Sequence, residues 1–253
     1  MSKRMYFACG AVALALGVCA DVSVITAVNP AEGWWSNGVN SSNKTMGASA
    51  TITDAGGTYS GFTGISSVAG SIGGNILHGS IATDNPGTAA EALTDNRLDT
   101  GVGNPSDNTQ FWLGETVSSR HLLAFIWTGT RTDNGSTSSW YDQPASITAF
   151  DSSGSQVGST VSVPDVGGEH FGRVNLGGYT ALNDRGIFGV TVDIADFGGT
   201  ASEIAYVSIA GTPRTDTTDM MYVGTAAVPE PATLGLIALS GGAVLCIRRT
   251  FMI

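Results

Sequence analysis

Between residues 21 and 228 the chain has no cysteine, because Cys9, Cys19 and Cys246 all sit near its two ends. Disulfides, thiolate metal sites and a cysteine nucleophile are thereby excluded from the middle, which a hydrophobic core, with or without a bound ion, has to hold together. Positive charge is scarce as well. Setting aside Lys3, Arg4, Glu230, Arg248 and Arg249 leaves 7 basic against 20 acidic residues, a net charge of −13. Such a field repels nucleic acid and anionic membrane surfaces, although solubility in a periplasm or matrix is the plainer explanation of the charge itself. The three histidines, His78, His121 and His170, form no H-x-x-H or H-E-x-x-H arrangement, and no serine has glycine at both −2 and +2. The zinc-protease helix and the hydrolase elbow are therefore both missing. The carboxylates are scattered, and no pair of them can be placed across a cleft from sequence, so nothing nominates an enzyme.

What is present at the ends is more specific. Lys3 and Arg4 followed by the apolar run Met5 to Ala20 form the n-region and h-region of a secretory signal peptide over 1–20, with Val18 and Ala20 placed for signal peptidase. Leu16-Gly17-Val18-Cys19 approaches a lipobox, but the bulky Val18 fits it poorly. At the other end come Val228-Pro229-Glu230-Pro231, an uncharged stretch over 232–247, and Arg248-Arg249. Two prolines can stand ahead of a helix but not within one, so the stretch is expected to be a short transmembrane helix. At ~1.5 Å per residue its length falls just short of a ~30 Å hydrocarbon core. The arginine pair places the C-terminus on the cytoplasmic side and everything before Pro229 outside.

This order of triplet, short span and arginines resembles the PEP-CTERM sorting signal of Gram-negative bacteria that make exopolysaccharide. The resemblance covers 228–253 and implies recognition by an exosortase, a membrane protease-transpeptidase, with Val228, Pro229, Glu230, Pro231, Arg248 and Arg249 as the motif. A permanent single-span anchor is the competing reading. It needs no Pro-Glu-Pro.

Residues 21–227 fit one exported domain. The 35 glycines and many Ser, Thr, Asn and Asp residues mark turns, and no segment sustains a period of 3.6. Short runs rich in β-branched and aromatic residues lie between them, among them 22–27, 48–53, 76–82, 111–114, 122–128, 146–150, 156–163, 173–176, 188–194 and 204–209. The expected fold is all-β, an antiparallel β-sandwich. Asp151-Ser152-Ser153-Gly154 reads as a hairpin loop, and the alternation Val190, Val192, Ile194 against Thr191 and Asp193 predicts one buried and one wet face. Thr88 to Leu93 is the one helical candidate. Weak patterning over 29–74 suggests strands with long loops.

The order Ala92-Leu93-Thr94-Asp95-Asn96, Phe111-Trp112-Leu113-Gly114, Pro144 to Gly154, and Tyr206-Val207-Ser208-Ile209 resembles discoidin or galactose-binding-like sandwiches of jelly-roll type. The usual Asp before Leu-Gly is Trp112 here. That resemblance implies ligand-binding loops at one end and, on the loop after the short helix, a structural calcium. Asp95, Asn96, Asp99 and Thr100 gather the hard oxygen donors that calcium takes, while an Asx-rich turn capping itself is the plain alternative. Trp34-Trp35 and Trp140-Tyr141 lie in turn-rich surroundings, where an exposed ring can stack on a sugar. Arg131, Trp140 and Tyr141 are the candidate ligand site, unless the loop rings cap the core. Trp112 and Trp127 are expected in the core. The chain thus reads as a non-enzymatic protein of the cell surface or exopolysaccharide matrix, with polysaccharide a candidate partner. A structural or adhesion protein without a sugar site, or a polysaccharide-acting enzyme, are the alternatives.

Overall fold

The computed structural model describes residues 22–29, 46, 50–70, 72–78, 87–96, 98, 100–105, 109–129, 144–164, 166, 171–174, 185–211 and 219–228. The signal segment 1–20 and the span 232–247 lie outside them, and among the described residues no helix is long and apolar enough to cross a membrane.

In chain order the strands are β1 (Val22–Val24), β2 (Ala27–Asn29), β3 (Thr51–Thr53), β4 (Thr58–Ser60), β5 (Thr63–Gly64), β6 (Ser67–Ala69), β7 (Ile72–His78) and β8 (Thr100–Pro105). They continue as β9 (Gln110–Trp112), β10 (His121–Gly129), β11 (Pro144–Phe150), β12 (Val161–Ser162), β13 (Gly172–Val174), β14 (Arg185–Asp193), β15 (Tyr206–Gly211) and β16 (Asp219–Ala227). One α-helix, α1 (Ala89–Thr94), precedes β8. It carries a capping box, in which Thr88 Oγ1 accepts from Glu91 N at 3.2 Å and Glu91 Oε2 accepts from Thr88 N at 3.1 Å.

Among the described residues all pairings are antiparallel and build three sheets. The largest has eight strands in the order β1-β14-β10-β16-β8-β7, with β13 on β14 and β5 on β16; a five-stranded sheet runs β12-β11-β15-β9-β6, and β2-β3-β4 form a third. Alternation decides which side chains go where. On β10, Leu123, Phe125 and Trp127 face a core shared with Ile147, Ala149, Val207, Ile209 and Phe111 of the five-stranded sheet. Leu122, Ala124 and Ile126 point the other way, into a second cluster with Ile25, Met46, Ile52, Phe62, Leu98 and Tyr222. The eight-stranded sheet is therefore covered on both sides.

That second cover corrects the expected wet face of β14. Val190 and Val192 are in the shared core as predicted, but Thr191 is 1% exposed. Its hydroxyl donates to Asp54 Oδ2 in a short hydrogen bond. Asp54 is anchored in turn by Gly56 N at 2.7 Å and Gly57 N at 3.0 Å through Oδ1. The weakly patterned stretch around residues 46–62 supplies the cover.

A second correction concerns Trp112. Phe111 is fully buried in the shared core, so the pleat turns Trp112 to the opposite, outward face, where it is half-buried. Trp127 is in the core as expected, 1% exposed and stacked on Phe188 with centroids 6.4 Å apart.

Candidate functional site

Three places bear on function: the exit of the tail, the loop after α1, and the outward face of the five-stranded sheet.

β16 lies inside the eight-stranded sheet, between β10 on one edge and β8 and β5 on the other. It ends at Ala227, and the next residue is still held: Val228 N donates to Arg120 O at 2.7 Å, and the Val228 side chain packs against the second cluster. Pro229 follows at once. Of the sorting residues, Pro229, Glu230, Pro231, Arg248 and Arg249 lie outside the described residues, so the structure places Val228 alone.

After α1 the chain turns at Asn96, the one described non-glycine residue with a left-handed backbone (φ 59°). Its carbonyl accepts from Met46 N at 2.6 Å, which ties the loop to the cover of the second cluster. Asn96 Oδ1 is buried without a hydrogen-bond partner among the described residues, as is Tyr222 Oη. The two oxygens belong to one neighbourhood. A Cβ on Gly64 would overlap Asn96 Oδ1, a Cβ on Gly224 would overlap Tyr222 Oη, and Gly64 and Gly224 are direct cross-strand partners, whose side-chain positions share one face. Burial, then the charge of Glu115, raises the Tyr222 phenol above its ordinary pKa, so it stays protonated and remains a donor.

A buried acceptor and a buried donor over one glycine pair are the setting for an internal water or a cation. Of the four residues expected to take calcium, Asp95 and Asn96 stand together at this turn, and Asp95 has a buried carboxylate oxygen there. Thr100 opens β8, and Asp99 lies outside the described residues. Among the described residues no group of three His, Cys, Asp or Glu could hold a metal. A hard cation there would meet the Asn96 amide oxygen and the Asp95 carboxylate. Tyr222, far along the chain, gave no signal in sequence.

Arg131, Trp140 and Tyr141 fall outside the described residues. Among the described residues another set of aromatics comes together. Phe150 pairs with Tyr206, Tyr206 with Trp112, and Trp112 with Ser67, which sets four residues in one row across β11, β15, β9 and β6. Their neighbours Ala149, Val207 and Phe111 are core, so the row faces outward. The Phe150 and Tyr206 rings stack at 5.0 Å and 11°, and Trp112 lies 4.9 Å from Tyr206 at 36°. Strand register, invisible in a linear reading, makes the row.

The Asp151 hairpin closes one end of this face. Asp151 Oδ1 accepts from Ser153 N at 2.8 Å, Ser153 Oγ at 2.7 Å and Ser155 N at 2.9 Å, and Gly154 supplies the positive φ of 87°. The Ser153 hydroxyl, then the Ser155 amide, hold its carboxyl below the usual range.

Residues 227–249 match the family model of the PEP-CTERM protein-sorting motif. No curated protein and no solved structure matches the chain.

Proposed function

We propose that this chain, the bearer of a PEP-CTERM sorting motif, is a non-enzymatic protein of the cell surface or exopolysaccharide matrix whose domain binds carbohydrate. The motif itself marks an exported protein, anchored transiently in the inner membrane and processed by an exosortase. Signal peptidase would remove 1–20 first. One observation carries the reading: the matched residues begin at 227, the last residue of an interior strand, so the domain and its address label are contiguous. Two antiparallel sheets over one core support a galactose-binding-like sandwich of jelly-roll type, and Asp95 with Asn96 supports a structural calcium on its loop.

The test begins with Glu230→Ala. Export should be intact and the final cleavage lost, so the mature protein keeps the mass of the span-containing form by mass spectrometry of membrane fractions. Equal processing of both forms would leave a permanent anchor. A glycan array probed with the full chain addresses the carbohydrate part, and an array without signal would leave a structural or adhesion role.

A further inference from the structure

The outward aromatic row ends at an open hollow of about 630 Å³ whose lining includes Trp112, Glu115, Asp151, Ser202 and Glu203. We infer that Trp112 and this hollow form a binding subsite for an uncharged pyranose of a polysaccharide, an inference that rests on the carbohydrate-binding reading above.

Among the described residues packing gives no reason for the row. The core lies on the other side of the sheet, and the outward positions around it are short and polar: Ser67, Ser146, Thr148 and Ser162. Three aromatic side chains among them leave apolar surface at the water boundary. Tyr206, in the middle, is 6% exposed, sheltered by the rings on either side. The end rings, Phe150 and Trp112, are half-buried. Trp112 Nε1 donates to Gln110 Oε1 at 3.3 Å, which together with Tyr206 fixes the indole where it walls the hollow. A fixed aromatic wall loses little freedom on binding and meets the C–H face of a sugar ring.

The polar half of the hollow chooses the ligand. Its acidic groups are acceptors for sugar hydroxyls, and two of them are held in place beforehand. Glu115 Oε1 accepts from Thr225 Oγ1 at 2.7 Å, and Asp151 Oδ1 has the three donors of its own hairpin. Glu203 and Ser202 stand on the 3-10 turn Ala201–Glu203 beside them. Among the described residues no lysine, arginine or histidine lines the hollow. Three carboxylates without a cation, on a chain of net charge −10, repel uronate and sulfate groups and accept from neutral hydroxyls.

Native gel electrophoresis of the detergent-solubilised full chain, through gels containing galactomannan, xyloglucan or alginate, tests the subsite. The parent should be retarded by at least one neutral polymer and not by alginate. Trp112→Ala should weaken retardation at least about tenfold, the scale of an aromatic anchor, while its thermal midpoint falls by only a few degrees. Trp112→Phe should restore part of the retardation. Glu203→Gln, on an exposed position, should weaken it a few-fold with no change in stability, and it keeps the test sound if the tryptophan variant fails to fold. A parent that binds neutral polymer equally with and without Trp112 or Glu203 overturns the subsite and spares the carbohydrate reading. A parent retarded by none of the neutral polymers overturns both. Retardation by alginate equal to that by a neutral polymer overturns the choice of ligand.

Discussion

The eight-stranded and five-stranded sheets share one core but differ in what lies behind them. Behind the first, the stretch around residues 46–62 buries a second apolar cluster, so polar groups caught there must find partners inside the protein. Thr191 finds Asp54, whereas Asn96 Oδ1 and Tyr222 Oη find none among the described residues. Behind the second, Ser67 and Ser162 are exposed, Trp112 and Phe150 are half-buried, and Tyr206 is sheltered between their rings. Polar groups are at home on that face, and its aromatic residues are the ones that call for explanation. On the covered sheet the anomaly is an unsatisfied oxygen; on the open sheet it is an unneeded ring.

The sharpest way to break this contrast is to make the same change on both. Trp127→Ala, in the shared core, should cost ~3–5 kcal/mol, and Trp112→Ala, on the open face, ~1–2 kcal/mol. Urea denaturation of the two variants measures both. Equal losses would mean that the open face is as packed as the core. On the covered face, chelation should lower the thermal midpoint if a cation sits at Asp95 and Asn96. A ligand at a hundredfold excess over its Kd contributes about 2.7 kcal/mol. Asp95→Ala should then be blind to chelator, and a parent equally blind would assign the orphaned oxygens to a buried water. Thr191→Val, nearly the same shape, deprives Asp54 of a donor in the interior and should cost ~1–3 kcal/mol. The smallest effect belongs to the exposed Asp151. Its pKa is held below the ordinary 3.8, so its contribution is full above that value and is lost as pH falls through the folded-state pKa. Melting between about pH 5 and pH 2 should fall slightly less steeply for Asp151→Asn than for the parent.

Motifs that act as linear strings were readable in the sequence. The tail triplet and arginines needed no fold, and strands rich in β-branched residues, such as those around Leu122 to Thr128 and Phe188 to Asp193, announced themselves. β16 did not. Its run Met220-Met221-Tyr222-Val223-Gly224 is buried on both faces, so it lacks the alternation that marks a half-exposed strand, and methionine and glycine carry little β signal. β8 hid behind Gly101, Gly103, Asn104 and Pro105, which read as a turn. Trp112 misled for another reason: alternation says that Phe111 and Trp112 part company, but not which goes inward. The Asp95-Asn96 turn was visible as a cluster of oxygens. Its partner Tyr222 became a neighbour only through the pairing of Gly64 with Gly224.

The place of β16 sets an order of events during secretion. β10 and β14 can pair as soon as both have crossed the membrane, yet the second edge of β10 and the inner edge of β8 stay open until residues 219–227 arrive. A chain that stops short of them leaves β10, β8 and β5 each with a bare strand edge, the usual starting point for aggregation. Because Val228 is hydrogen-bonded to Arg120 and Pro229 comes next, the strand that completes the sheet and the sorting motif are synthesised and exported together. Every copy that carries the tag has therefore already been made through the residues of β16.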